Sequence, residues 1–290
     1  INILFGIFFV FCSSVTLSDE FQFNASKVES YNKGNVIKGS GGVEITDGLE
    51  LIITGDEFEF DKLKAILKVS GNTLITDRLN GNLIKSNEVI FNKKLNIVNS
   101  KEETIVELGN NHIVKSSNII FNRNLNTLFS NEKTQITDLD NNKFSTSNFR
   151  FSITEKIFKA DNIKINDGEG NTYHLKNFIY NIKTNEILGK DLNLNFNSDN
   201  VSSNENEPRL KGNAFFNNGN ISQINKGVFT NCKKNDSCPP WVLQAENIKH
   251  DKIKKQINYK NAWLKVYDIP VFYFPRFFHP DPTIKRQSGF

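Results

Sequence analysis

Residues able to do chemistry are sparse and scattered in this sequence. Three acids come nearest to a constellation: Asp56 and Glu57 in "GDEFEF", and Glu88 further on in "SNEVIF". Parallel β-helix enzymes assemble general acid and base pairs from carboxylates on neighbouring coils, so an alignment of these three would read as a cleavage site. The next copies of the same stretch carry Ser117 and Asn118, then Ser147 and Asn148, and the alignment lapses. Most other acids alternate with lysines, the pattern of a solvated strand face. The histidines (His112, His174, His250, His279) stand far apart, and none is at ligand spacing from a cysteine, so no zinc site is expected. There is no Gly-rich phosphate loop and no nucleophile elbow. The expectation is a carrier or binding protein, with no catalytic residue, cofactor or metal.

The elements that position side chains here are strands. Many asparagines and few alanines argue against a helical bundle. Of the 290 residues 38% are hydrophobic, and the aromatic share is almost all phenylalanine, 25 Phe against 6 Tyr and 2 Trp. The formal charge of +4 is spread over interspersed basic and acidic residues, which is no footprint for nucleic acid.

The opening "INILFGIFFVFCSSVTLSDEF" has an apolar run of about a dozen residues, then small residues, then acid, the layout of a secretory signal. A membrane-spanning helix needs roughly 20 apolar residues. Cleavage near Ser18 is expected, with residues 1–18 a signal clipped at its own start, since no Met and no charged leader precede it. Cys12 offers a lipoprotein reading, but Phe11 is bulky where a small residue is wanted. Cys232 and Cys238 then remain, and an even number of thiols in an exported chain makes them disulfide candidates.

A repeat dominates residues 19–196. Aromatic anchors stand at Phe60, Phe91, Phe121, Phe151 and Tyr180, each preceded at two positions by Phe58, Val89, Ile119, Phe149 or Phe178. That spacing puts each pair on one face of a strand. A polar residue follows every anchor: Asp61, Asn92, Asn122, Ser152, Asn181. Short alternating runs such as "TIVEL" and "NIKIN" lie between. Each repeat supplies two strands and cannot bury its apolar face alone, so the fold class is all-β, a stack with a continuous apolar stripe. The stripe is either plain core or the lining of an open groove for an apolar ligand, with Lys93 and Arg123 facing outward. The ends of the stack offer unpaired edges for strand addition. Residues 197–209 read as a polar linker, and 210–274 as the last strands.

The closing segment, "GVFTNCKKNDSCPPW" through "NAWLKVYDIPVFYFPRFFHPDPTIKRQSGF" (227–290), resembles the junction region of the lipopolysaccharide-assembly family LptD, also called OstA, most closely its alphaproteobacterial form. The matching pieces are Cys232 in "FTNC", Pro239-Pro240-Trp241, and the block Asp281-Pro282-Thr283, Lys285, Arg286, Ser288, Gly289, Phe290. The 30-residue repeats are similar to the jellyroll of that family and of its LptA-like periplasmic partners.

The resemblance implies an open V-shaped β-jellyroll followed by the start of an outer-membrane β-barrel, truncated in this sequence. It implies lipopolysaccharide transport, with acyl chains held by Phe58, Phe60, Val89, Phe91, Ile119, Phe121, Phe149, Phe151, Phe178 and Tyr180. Residues 275–290 would be the hinge into the barrel, marked by Pro275, Pro280, Asp281, Pro282, Lys285, Arg286 and Gly289. The implied partners are an LptA-like bridge joined by strand addition, an LptE-like lipoprotein in the barrel and the outer membrane, with this part facing the periplasm. Cys232 would pair either with Cys238 or with a barrel cysteine. Two other readings stay open: a soluble or tethered LptA/LptC-like bridge, and a secreted β-solenoid that binds or cleaves polysaccharide.

Overall fold

Alternating apolar and polar residues make strands, and the described residues of this chain make little else. The computed structural model describes residues 21–48, 50–109, 111–197, 207–233, 239–282 and 284. Among them, twenty antiparallel strands form one sheet. The first six are β1 (Gln22–Tyr31), β2 (Val36–Thr46), β3 (Leu51–Asp61), β4 (Ile66–Asp77), β5 (Asn82–Asn92) and β6 (Ile97–Leu108). Three passes of the chain are each split: β7 (His112–Ser117) with β8 (Ile120–Asn122), β9 (Thr127–Ser130) with β10 (Thr134–Thr137), and β11 (Lys143–Thr146) with β12 (Phe149–Ser152). Then come β13 (Ile157–Asn166), β14 (Thr172–Asn181), β15 (Glu186–Asn195) and β16 (Arg209–Asn217). The last four are β17 (Ile221–Thr230), β18 (Trp241–Asp251), β19 (Gln256–Val266) and β20 (Ile269–Pro280). Each pass pairs with the next in chain order, the meander of stacked hairpins that the repeat implies.

Every pass bends near its middle. Register slips fall between Ser40 and Val43, Thr54 and Glu57, Ser70 and Thr73, and Ser86 and Glu88. The split passes break at the same level. On β5 the buried residues run Asn82, Ile84, Ser86, then Val89, Phe91, one residue out of phase after the slip. A one-residue slip moves the apolar set to the other face of a strand. The sheet folds over at the bend, so both halves of each pass still point their apolar residues into one interior.

Asparagine makes the bends and turns possible, because its short polar side chain tolerates left-handed backbone. Among the described residues, ten of the nineteen non-glycine positions with positive φ are Asn, including Asn72, Asn118, Asn177 and Asn261 at bends. Buried hydroxyls answer the ladder groups left open there. Ser86 Oγ donates to Lys101 O (2.9 Å), Thr146 Oγ1 to Asn162 O (2.7 Å), and the Ile119 N–H donates to Ser100 Oγ (3.0 Å).

The interior holds one continuous apolar cluster in which Phe91, Phe144, Phe151, Phe158 and Phe178 are fully buried. Each such side chain contributes about 2 kcal/mol by leaving water.

One expected boundary moves. The last strands were expected to end at residue 274, with the hinge beginning at Pro275, but β20 runs through Pro275 to Pro280. Its pairs Phe274 with Ala262 and Arg276 with Lys260 flank Pro275, which therefore sits at the bend, where no ladder bond is required of it. The expected signal (1–18), most of the linker, Cys238, Lys285, Arg286 and Gly289 lie outside the described residues.

Candidate functional site

All ten residues expected to line a groove stand on one wall of the interior. Nine are less than 5% exposed, and Phe60 is half-buried. They are therefore covered, where an accessible stripe was one expectation. The cover is the other half of the same passes. Ile53, Ile84, Val114, Phe144 and Tyr173, each seven positions before an anchor, form the opposite wall and are buried too. The Phe144 ring stacks on Tyr180 at 5.5 Å and meets Phe178 at 6.0 Å across the interior. Sequence reasoning missed this second wall, although its 30-residue period was as plain as that of the anchors.

The polar residues after the anchors cap the turns. Asp61 Oδ1, Asn92 Oδ1 and Asn122 Oδ1 accept from the backbone N–H of Lys64, Leu95 and Leu125 at 3.0, 3.1 and 3.1 Å. The next residue ties each turn to the one before: Lys93 N donates to Ala65 O, Arg123 N to Asn96 O, Ile153 N to Asn126 O and Ile182 N to Lys156 O. The opposite ends of the strands carry a second row of turns, stitched by side chains. Asn171 Nδ2 donates to Asp167 Oδ2 (3.0 Å), and Asn171 Oδ1 accepts from Asn197 N (3.0 Å). Asn142 repeats the arrangement with Asp138 and Gly168, and Asn82 with Asp77 and Gly109.

The two rows of turns meet over the interior. Arg123 of the first row reaches Asp47 (2.7 Å) and Glu50 (3.4 Å) of the second. His112 Nε2 lies 3.3 Å from the Tyr180 hydroxyl. Burial first, then Asp138 and Asp140, pushes the Tyr180 hydroxyl far above its usual range, so it stays protonated as a donor to Asn185 Oδ1 (3.0 Å). Lys93 lies over the Phe21 ring at 5.0 Å and Arg123 over Phe91 at 5.5 Å. Both cations, expected to face outward, lean over the interior instead. Strand alternation does not continue into a turn, so it could not place them.

The candidate carboxylate cluster is divided among surface partners. Glu88 is held between Lys68 (2.8 Å) and Lys101 (2.9 Å), and Lys68, then Lys101, keeps its carboxyl below the usual range. Asp56 accepts from Asn72 Nδ2 (3.0 Å). Among the described residues no group of three or more His, Cys, Asp or Glu side chains could hold a metal ion.

At the C-terminal end Asp281, buried, hydrogen-bonds the buried His250, and its N–H donates to Lys255 O (2.9 Å). His279 Nε2 meets the Tyr259 hydroxyl at 2.8 Å, and burial lowers the His279 pKa. Ile269, Val271, Phe272, Tyr273 and Phe278 of β20 are exposed. Among the described residues β20 pairs only with β19 and β1 only with β2, so each end strand presents an unpaired edge.

No protein-family model matches the chain, and no curated protein matches it. Among solved structures it is similar to LptH, the LptA homologous periplasmic component of the conserved lipopolysaccharide transport device from Pseudomonas aeruginosa. Identity is 14%, over 49% of this chain and 82% of that one, with a TM-score of 0.23.

Proposed function

We propose that this chain is a lipopolysaccharide-transport jellyroll whose apolar interior carries the acyl chains of the lipid. The observation that supports it best is the interior itself. Two apolar walls run unbroken through successive passes, and they meet along a rim of turns fastened by a few polar contacts. A hydrocarbon chain needs a continuous dry lining, and a charged sugar head needs that lining to open on one side.

The finer reading is the periplasmic part of an LptD-type translocon, with LptE-like and LptA-like partners at the outer membrane. It rests on the motif block at 227–290, and the anchoring of Asp281 by His250 and Lys255 suits a chain that must leave the sheet in a fixed direction. The unpaired edges of both β1 and β20 favour a second reading, a periplasmic bridge module that stacks through both ends by strand addition.

Competition binding tests the shared claim. Fluorescent lipopolysaccharide bound to the full chain should be displaced by lipid A and unaffected by the delipidated core oligosaccharide. Displacement by the oligosaccharide alone would instead support a polysaccharide-binding β-solenoid.

A further inference from the structure

Position two of the first-row turns is occupied in succession by the exposed Lys62, then by Lys93, Arg123, Ile153 and Ile182. The two isoleucines are buried and seal the rim without charge. Arg123 closes the same rim by a costlier route. Its side chain is 15% exposed and that of Asp47 12%, so both ions are largely removed from water. A desolvated ion pair stabilises less than well-packed apolar groups of similar size. Rim closure alone therefore does not explain a cation here.

The surroundings of Arg123 describe an anion site already filled by protein groups. One side of the guanidinium contacts Asp47 and Glu50, Nη1 donates to Asn96 Oδ1 (3.0 Å), and the plane covers Phe91 of the inner wall. Lys93, one turn away, lies over Phe21. The planar fork of arginine accepts carboxylate and phosphate oxygens with the same geometry, and a phosphate brings more charge and more acceptor oxygens than either carboxylate.

Resting on the reading that the interior takes acyl chains, we infer that Arg123, with Lys93, is the phosphate-binding site of the rim, and that Asp47 and Glu50 occupy it when no lipid is bound. A lipid phosphate displaces the two carboxylates, which unfastens the turn rows and holds the head group above Phe91, where its chains pass inward. An anionic amphiphile thus opens the interior that a neutral one finds shut.

Spin labels on Leu79 and Leu125, exposed on opposite turn rows, report the rim distance in the full chain. The probes are lipid A with both phosphates and the same lipid dephosphorylated. The wild-type chain should bind the phosphorylated lipid about tenfold more tightly, an ordinary margin for charge-assisted pairing, and only that lipid should lengthen the distance. Arg123→Gln should show the long distance without ligand and should bind both lipids with a preference below about twofold. The Asp47→Asn/Glu50→Gln variant, which keeps Arg123, should also be open without ligand and bind the phosphorylated lipid more tightly than wild type. A phosphate preference that survives Arg123→Gln, or binding without a change in rim distance, overturns the site. Equal binding of both lipids by the wild type overturns the site and leaves the acyl-carrying reading intact. Binding of neither lipid to any form overturns both.

Discussion

Gly39 on β2 stands directly opposite Phe58 on β3, and the missing Cβ is the space its ring fills: a Cβ built there would lie 2.2 Å from Phe58 Cε1. Gly39→Ala should therefore destabilise the chain by about 1–3 kcal/mol, the usual cost of overpacking. Urea denaturation measures it. Adding Phe58→Leu to Gly39→Ala should recover part of the loss, since the ring is what the new methyl meets.

The bends make a second prediction. Asn177 holds φ at 49° on β14, beside a register slip. Asn177→Val should cost about 1–2 kcal/mol because a β-branched residue is strained in left-handed backbone, whereas Asn177→Gly should be close to neutral. Equal midpoints for both variants in denaturant would show that backbone conformation does not set this bend.

The stitched turns make a third. Asn171 is 3% exposed and joins Asp167 to the Asn197 N–H. Asn171→Ala leaves both partners short of a bond, and a loss of about 1–3 kcal/mol follows. Amide exchange at Asn197 should rise in the same variant and stay unchanged at Asn92, in the other row.

Stability should depend on pH through His279. Its Nδ1 lies 2.6 Å from Pro280 O, a pure acceptor, so Nδ1 carries the hydrogen and Nε2 accepts from the Tyr259 hydroxyl. Burial disfavours the charged ring and lowers its pKa below the unfolded value, against smaller raising effects of the Pro280 carbonyl and Asp281. A histidine depressed in this way binds fewer protons folded than unfolded. Its contribution is complete above the unfolded pKa, about 6.5, and is lost as pH falls through the lower folded value. Melting curves between pH 8 and pH 5 should show that loss in the wild type. His279→Asn should flatten the profile.

The repeat made one wall of the interior legible. Phe91, Phe121 and Phe151 announce themselves by period and by the apolar residue two positions earlier. Val114 and Phe144 obey the same period, but a slip of one residue at the bend separates them from the anchors and hides that both sets face inward. Asn92 and Asn122 read as punctuation, and they are caps. The closure of the rim was not legible. Arg123 and Asp47 are 76 positions apart and meet because two rows of turns converge, a consequence of the fold that no local pattern encodes.

Photocrosslinking in growing cells tests the central claim most directly. A photoreactive phenylalanine at Phe151 or Ile136, on opposite walls of the interior, should capture lipopolysaccharide. The same residue at the exposed Lys159 or Leu125 should capture little. Capture from Lys159 and Leu125 with none from Phe151 or Ile136 would contradict an acyl-carrying interior.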